Sequence, residues 1–296
     1  MKNVHSILIM FLSVMIGCGK NNQPANEIST VDITAKYPYK ELILQDFMDV
    51  EYIPLETTDE FLCMGSLWGV GKDIIVATNF NSDGNIFIFD RKGKALKKIN
   101  RKGQGNEEYS SYSRIILDEE KREIFVNNSF AKKIQVYDLE GNFKRDLPIQ
   151  KELSLFEMYN FDKDNLICHD DFPRNTGQSF MLISKQDGSI TQEITIPFKE
   201  KKSIYVRVED KTVEGQYFVY SPQCKHPIMP YYNSYILTEY SADTLYQYLP
   251  DHTLTPLRKN PFYPIHDPGS NSFAEPLYRP LLFYGCNRKD NRVFNY

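Results

Sequence analysis

Cysteine is sparse and widely spaced in this sequence. Five cysteines occur among 296 residues, and no two of them form a Cys-x-x-Cys pair. Zinc ligands are usually closely spaced, so Cys63, Cys168, Cys224 and Cys286 do not predict a zinc site. An exported location would permit disulfides, but the irregular spacings leave any pairing open. Cys168 ends an apolar run, which is typical of a small side chain in a buried strand.

Strong charge of either sign is also missing. The formal net charge is −4 with acidic and basic residues interspersed, whereas a nucleic-acid surface needs a basic patch or stripe. The apolar run at residues 7–16 is about half as long as the roughly 20 residues that a membrane-spanning helix requires. Alanine is scarce, which argues against a helical bundle. Because no basic patch or stripe is present, we expect no nucleic-acid partner.

Familiar catalytic motifs are absent as well. The sequence has no Gly-x-Ser-x-Gly elbow. The Gly-Gln-Gly triplet at 103–105 lacks the third glycine and the Gly-Lys-Ser/Thr ending of phosphate-binding loops, so we interpret it as a turn between repeat units. His169 is followed by two aspartates, but no second histidine is nearby, which is a weak metal signal. No catalytic residue, metal ligand or cofactor is predicted.

The N-terminus carries an export signal. Lys2 precedes the apolar residues 7–16, and Gly17 stands directly before Cys18. A basic start, a short apolar middle and a small residue at the cut are typical of a secretory signal peptide. The end of this segment, Met-Ile-Gly-Cys at 15–18, resembles the bacterial lipoprotein box, which implies that Cys18 is lipidated. The competing interpretations are an ordinary signal peptide with a chance cysteine and a short membrane anchor.

This interpretation predicts the segments of the chain and the location of the protein. Residues 1–17 are predicted to be a lipoprotein signal peptide, residues 18–36 a polar tether and residues 37–296 the folded domain. The protein is expected to be exported and lipid-anchored to the bacterial cell envelope. The outer membrane is favoured, and the membrane face that carries the protein is left open.

Aromatic residues are abundant, and they fall into a repeat. The chain holds 20 Tyr and 19 Phe against a single Trp, a composition that favours strands. Three strand–turn–strand patterns turn at Gly93, Gly141 and Gly188, at spacings of 48 and 47 residues. Hairpin turns need a residue at positive φ, which glycine adopts without steric cost. A weaker fourth copy turns at Asp251, 64 residues after Asp187.

Two further strands precede each of the three hairpins, so that every unit has four. The first are predicted at 65–70, 113–117 and 156–161, and the second at 73–76, 123–126 and 165–168, with a fourth copy of the second at 234–237. A repeat of 40–50 residues with four strands is typical of a β-propeller blade. The predicted fold class is therefore all-β, a β-propeller of four-stranded antiparallel blades.

One segment carries a more specific resemblance. Arg-Lys-Gly-Gln-Gly-Asn-Glu-Glu-Tyr at 101–109, followed by the strands at 115–118, 123–126 and 134–138, resembles an NHL-type propeller repeat. Residues 50–58 are similar to the opening of six-bladed β-propeller lipoproteins of unknown function from gut-type Gram-negative bacteria. The resemblance implies a six-bladed fold and an exported lipoprotein, and it brings no catalytic residues.

The predicted number of blades falls short of six. The chain from Gly65 onward holds slightly fewer than five repeats, so we expect a C-terminally shortened member with about five blades. A complete ring of five irregular blades is the alternative. An unfinished ring would leave unpaired strand edges, and residues 50–55 and 281–296 are the candidate closing segments.

Two segments depart from the repeat. An irregular insertion is predicted near 198–232, and the surrounding sequence is rich in tyrosine. Tyr217, Tyr220, Tyr231 and Tyr232 are candidate ligand-face aromatics, because exposed tyrosines can form a platform for a glycan or a protein; packing between blades is the structural alternative. Residues 250–280 hold seven prolines, which predicts a long loop rather than a helix or central strand.

The function predicted from these features is binding rather than catalysis. The protein is expected to be a lipid-anchored envelope propeller that contacts the membrane through its N-terminal lipid and binds an envelope protein or a glycan. The alternatives are a propeller enzyme of lactonase or lyase type with a metal at the central axis, and a purely structural component of the envelope. An acidic cluster at the axis would favour the enzyme, whereas an aromatic surface would favour the binding protein.

Overall fold

The computed structural model describes residues 49–259 apart from 81–82, 171–178, 200–205, 210–216 and 221–225, together with the short pieces 29–30, 36, 38–39, 41, 43–46 and 292–294. Cys18, Cys224 and Cys286 lie outside the described residues. The described chain is built of strands, with one 3-10 turn at Leu44–Asp46. Within it, no helix has the length and apolar character needed to cross a bilayer.

Four-stranded antiparallel sheets follow one another along the chain, as the repeat predicts. Two short strands come first, β1 (Ser29–Thr30) and β2 (Tyr52–Pro54). Blade 1 consists of β3 (Leu67–Val70), β4 (Ile74–Thr78), β5 (Asn85–Asp90) and β6 (Ala95–Asn100). Blade 2 consists of β7 (Arg114–Asp118), β8 (Glu123–Asn128), β9 (Lys133–Asp138) and β10 (Phe143–Pro148). Blade 3 consists of β11 (Leu155–Asn160), β12 (Asn165–Asp170), β13 (Phe180–Ser184) and β14 (Ile190–Ile194).

The insertion holds a hairpin of its own before the fourth blade. It consists of β15 (Val206–Glu209) and β16 (Tyr217–Tyr220), which pair with each other. Blade 4 consists of β17 (Ile228–Tyr231), β18 (Ser234–Leu237), β19 (Thr244–Tyr248) and β20 (Leu254–Lys259), and β1 adds to β20 in parallel. The last described strand is β21 (Arg292–Phe294). Together these sheets confirm the all-β propeller fold.

Burial changes in a regular way across each blade. Every residue of β4 and β8 is buried, and so are the central residues of β5 and β9. Strands covered on both faces lose the alternation of apolar and polar residues, and here neighbouring blades supply the two covers. In each of the outer strands β6, β10 and β14 one residue is buried, and the others are exposed or half-buried. This pattern explains why the outer strands carry most of the charge.

The core lies between successive blades as separate clusters. One cluster joins blades 1 and 2 through Ile88 and Ile124, the next joins blades 2 and 3 through Phe125 and Leu166, and a third joins blades 3 and 4. The free face of blade 1 is covered by Ile53 of β2. Each blade is therefore held by its neighbours, as expected of a sheet that cannot bury both faces alone.

The three hairpin glycines have the predicted conformation, with φ of 85° at Gly93, 89° at Gly141 and 77° at Gly188. They also mark where blades meet. A Cβ on Gly141 would lie 3.1 Å from the Ile99 side chain at the end of β6, and a Cβ on Gly188 would lie 2.7 Å from the Pro148 carbonyl oxygen at the end of β10. These turns thus pack on the outer strand of the preceding blade.

The turn at Gly93 packs in the same way, although no blade precedes blade 1 among the described residues. A Cβ there would lie 2.0 Å from the carbonyl oxygen of Pro54 in β2. Against blade 1, β2 therefore takes the place that β6 takes against blade 2. The other edge of β2 pairs antiparallel with β21, with Tyr52 opposite Phe294. The number of blades in the whole ring stays a prediction.

Blade 4 differs from the sequence expectation at two points. Residues 254–259, placed in the proline-rich loop, form β20, and Pro256 lies opposite Tyr246. Proline is tolerated there because β1 pairs with β20 only at Arg258 and Lys259, so the outer side of Pro256 has no partner strand in the described pairings, and a register shift interrupts the pairing of β20 with β19. The turn before β20 has its positive φ, 66°, at His252 instead of a glycine. The rest of the predicted loop, from 260 onward, lies outside the described residues.

Candidate functional site

A cavity of about 340 Å³ opens between the first strands of blades 1, 2 and 3. In a propeller the first strand of each blade faces the central axis, so the cavity lies at that axis. Ligand sites of proteins typically have volumes of about 300–1,000 Å³ and lie in clefts lined by apolar and aromatic side chains with a few polar groups. Its polar and aromatic lining residues are Trp68, Arg114, Glu119, Glu120, Tyr159, Asn160 and Tyr235.

Arg114, the first residue of β7, is held in this cavity by two aromatic rings. Its guanidinium carbon lies 4.3 Å from the centre of the Tyr159 ring and 5.8 Å from the centre of the Trp68 ring. Its Nε donates to the Met158 carbonyl oxygen at 3.1 Å. Only 18% of the side chain is exposed. Aromatic faces attract a cation and restrict its orientation, so the guanidinium is fixed before any ligand arrives.

The charge of Arg114 is only partly compensated. Its Nη1 lies 3.8 Å from Oε1 of Glu157, which is longer than a hydrogen bond. The guanidinium also interacts with the hydroxyl of Tyr159, whose pKa is raised by burial although Arg114 acts in the opposite direction. A guanidinium has five N–H donors, so these contacts leave donors for a ligand. The group is suited to a carboxylate or another planar anion.

The aromatic walls are themselves fixed by hydrogen bonds. The indole Nε1 of Trp68 donates to Oγ1 of Thr78 at 2.8 Å. The hydroxyl of Tyr235 donates to the carbonyl oxygen of Asn160, and its ring centre lies 5.8 Å from that of Tyr159. Burial raises the pKa of Tyr235 to about 12, so its hydroxyl remains a donor at neutral pH. The cavity is thus largely preformed.

The opposite end of the cavity is acidic. Glu119 accepts hydrogen bonds from the backbone N–H groups of Lys72 at 2.6 Å and Asp73 at 2.7 Å. A Cβ at Gly71 would lie 2.6 Å from this carboxylate, so glycine makes room for it. The neighbouring Glu120 is exposed. The cavity therefore has a cation where β7 begins and two carboxylates where β7 ends.

The four tyrosines predicted as ligand-face aromatics are not among the residues that line the cavity. Tyr217 and Tyr220 are the first and last residues of β16, and their side chains lie outside the description. Tyr231 is the last residue of β17 and Tyr232 begins the turn to β18, and their ring centres lie 4.8 Å apart. Tyr232 is 92% exposed and has a φ of 51°, at a kind of turn position that glycine usually takes. A ligand role for the four residues remains a prediction.

The glycine-rich turn at 103–105 connects β6 to β7 and therefore joins blades 1 and 2, as interpreted. Its backbone is already bound to an internal carboxylate. The N–H of Gly105 donates to Oε2 of Glu108 at 2.9 Å, and a Cβ at Gly103 would lie 1.8 Å from the same oxygen. This carboxylate occupies the position that an anion would take in a phosphate-binding loop.

The weak metal signal is explained by packing. His169 is buried with its ring centre 4.9 Å from that of Phe180, and Asp170 accepts a hydrogen bond from the N–H of Ser154 at 3.0 Å. No group of three or more His, Cys, Asp or Glu residues is placed to hold a metal ion in the part of the chain that the structure describes. Cys168 is fully buried, and burial raises the pKa of its thiol, which agrees with the predicted role as a small core residue.

Sequence reasoning missed Arg114 and Trp68, the residues that give the cavity its character. A signal for them was present. Trp68 is the single tryptophan, and both residues fall in segments predicted as first strands of their blades. Since first strands face the axis, a large aromatic residue and an isolated cation at these positions indicate an axial site.

Comparisons with known proteins agree with this architecture. A family model described as "Domain of unknown function (DUF4934)" matches residues 28–272. No curated protein matches the sequence. A Bacteroides fragilis crystal structure, described as an exported protein, is similar with a TM-score of 0.53 and 16% identity; the match covers 75% of this chain and 58% of that one. This chain therefore spans somewhat more than half the length of that protein, and the likeness supports the fold alone.

Two further solved structures are more distant. A member of the DUF4221 family from Bacteroides vulgatus has a TM-score of 0.44 and 10% identity, covering 73% of this chain and 63% of that one. Virginiamycin B lyase from Staphylococcus aureus has a TM-score of 0.38 and 11% identity, covering 71% and 74%. At these values neither likeness says anything about chemistry in the cavity.

Proposed function

This chain belongs to the family described as Domain of unknown function (DUF4934), and we propose that it is a ligand-binding propeller of the bacterial cell envelope. Its binding site is the axial cavity, and its ligand is a small molecule that carries a carboxylate. The observation that supports this most directly is the guanidinium of Arg114, fixed between the rings of Trp68 and Tyr159 in a cavity of about 340 Å³.

Preorganisation and a low dielectric both favour the binding of an anion in this cavity. Low-dielectric aromatic walls strengthen the attraction between a fixed cation and an incoming anion. The cation loses little conformational freedom on binding, because Met158 and the two rings already restrain it. The alternative of a lactonase or lyase requires an acidic cluster at the axis. The described lining of the cavity holds one arginine, several aromatic side chains and two carboxylates, Glu119 and Glu120. No group of three or more His, Cys, Asp or Glu side chains that could hold a metal ion is found among the described residues.

The location belongs to the same proposal. The signal-like N-terminus with Cys18 supports export and lipid anchoring to the envelope. The fold is shared with a Bacteroides fragilis protein that is described as exported. A lipid-anchored propeller would hold its axial cavity open to solutes at the membrane surface.

The single tryptophan gives a direct assay of the cavity. The purified protein is titrated with galacturonate, citrate and tetra-alanine, and the fluorescence of Trp68 is recorded. We expect a saturable change with at least one of these carboxylates, because Trp68 lies 5.8 Å from the guanidinium carbon of Arg114. Galactose, which lacks the carboxylate, should produce no saturable change.

Two arginine variants make the test specific. Arg114→Gln should abolish the response, whereas Arg122→Gln should leave it unchanged, because Arg122 lies on the surface and pairs with Glu140 at 3.3 Å. Thermal unfolding of both variants checks that each is folded. A saturable response that survives in folded Arg114→Gln protein would contradict the proposed site, as would the absence of any carboxylate response in the wild type.

A further inference from the structure

The two charged ends of the cavity have a defined separation. Arg114 opens β7, and Glu119 and Glu120 follow directly after its last residue, Asp118. A strand rises about 3.3 Å per residue, so the five steps from Arg114 to Glu119 span about 16 Å. A ligand that uses both ends must therefore be elongated and carry opposite charges at its two ends.

The two cations next to the acidic end are paired with other carboxylates. Lys121 and Arg122 follow in the same turn, but they pair with Asp164 at 3.6 Å and Glu140 at 3.3 Å. Glu119 is held in position by two backbone N–H groups, while Glu120 is exposed. Carboxylates in such positions favour a cationic group, such as an ammonium, at this end of the cavity.

The wall between the two ends can pair with a polypeptide backbone. The strands β3, β7 and β11 each stand at the end of their sheet, and in the described pairings each is hydrogen-bonded to a neighbour on one side only. Their other edges therefore present backbone N–H and C=O groups towards the axis. Such an edge can accept an added peptide strand through main-chain hydrogen bonds.

We propose that the ligand of the axial cavity is a short peptide with free termini, about four residues long. Its C-terminal carboxylate binds Arg114, its N-terminal ammonium lies at Glu119 and Glu120, and its backbone runs along the inner strands. An extended chain spans about 3.3–3.6 Å per residue, so four residues extend about 13–14 Å. The hydrogen bonds at the two termini, about 2.8 Å each, cover the rest of the 16 Å between the charged ends. The rings of Trp68, Tyr159 and Tyr235 then contact the side chains of the peptide. This inference rests on the proposed binding function and adds the class of ligand.

The test removes the charge of each peptide terminus in turn. Tetra-alanine, its C-terminal amide and its N-acetyl derivative are titrated into the wild-type protein by calorimetry and by Trp68 fluorescence. Each modification removes one charge, and we expect each to weaken binding by about tenfold or more, because a hydrogen bond to a charged group is lost. Free and amidated peptides of equal affinity would overturn the inference, and this comparison needs no variant protein.

Variants assign each terminus to its end of the cavity. Arg114→Gln should remove the preference for the free carboxylate, and Glu120→Gln should reduce the preference for the free ammonium. The surface pair offers matched controls, since Arg122→Gln and Glu140→Gln should preserve both preferences. Preferences that survive in Arg114→Gln and Glu120→Gln would place the peptide elsewhere and overturn the inference.

Non-peptide probes separate this inference from the broader proposal. Saturable binding of galacturonate or sialyllactose that depends on Arg114, without binding of tetra-alanine, would overturn the peptide and leave the axial anion site standing. The absence of binding for every carboxylate probe would overturn both.

Discussion

Replacement of Lys185 by methionine should destabilise the protein more than any surface substitution. Lys185 follows β13 in blade 3, and its ammonium lies 2.7 Å from Oδ2 of Asp118 at the end of β7 in blade 2. The two side chains are 1% and 3% exposed. The ammonium also donates to the carbonyl oxygen of Asp162, and Oδ1 of Asp118 accepts from the N–H of Lys121. The pair therefore connects two blades in a dry environment.

The expected magnitude follows from burial. Removal of one partner leaves the other charge buried without compensation, which costs about 3–5 kcal/mol. For a domain of 150–250 residues, 1 kcal/mol changes the melting temperature by about 2–4 °C, so Lys185→Met should lower it by roughly 6–20 °C. Replacement of both partners, Lys185→Met with Asp118→Asn, should cost less than the sum of the single changes, because neither charge is then left alone.

The assay is reversible denaturation of the four proteins of this cycle, with Lys121→Met as control. Lys121 forms a partly exposed pair with Asp164 at 3.6 Å, and such pairs contribute about 0–1 kcal/mol. If Lys185→Met costs no more than Lys121→Met, or if the double change costs the full sum, the reasoning about the buried pair is wrong.

Three further predictions concern the turns, the response to acid and the anchor. Gly93→Ala and Gly141→Ala should each lower the free energy of unfolding by about 1 kcal/mol or more. The loss should be larger for Gly93→Ala in thermal unfolding, because the new Cβ would lie 2.0 Å from a backbone carbonyl oxygen there but 3.1 Å from a side chain at Gly141. Burial alone would raise the pKa of Glu123, but Lys144 and Arg145 of β10 lower it to about 2 from 4.5. The ionised carboxylate therefore stabilises the folded protein above pH 4.5, and this contribution is lost as the pH falls towards 2. Glu123→Gln should flatten the acid side of the stability–pH profile. Cys18→Ser should release the protein from membranes and abolish fatty-acid labelling; labelling that persists would contradict the lipid anchor.

The sequence was sufficient for the fold where structure depends on local patterns. The turns at Gly93, Gly141 and Gly188 could be placed because a hairpin needs positive φ at a fixed position between two strands. The strand at 254–259 was missed because Pro256 argues against a central strand, whereas the register shift beside β19 that accommodates it depends on pairing between distant segments.

The axial cavity was harder to predict because its residues come from three blades. Trp68, Arg114 and Tyr159 are each separated by more than forty residues in the sequence, and only the packing of blades brings them together. The predicted tyrosines were chosen for local density along the chain. Density in sequence identifies an unusual segment, but it does not show which side chains converge on the axis.

The position of β2 has a consequence for the order of folding. Each blade forms from strands joined by short turns, whereas β2 must wait for β21, which lies about 240 residues later in the chain. The entropic cost grows only with the logarithm of loop length, so closing this loop costs about 3 kcal/mol more than closing one of 12 residues. The delay is a matter of time rather than of stability, because distant pairings form slowly. Until β21 arrives, β2 is an open strand edge at which two nascent copies can exchange strands and emerge as an interlocked dimer.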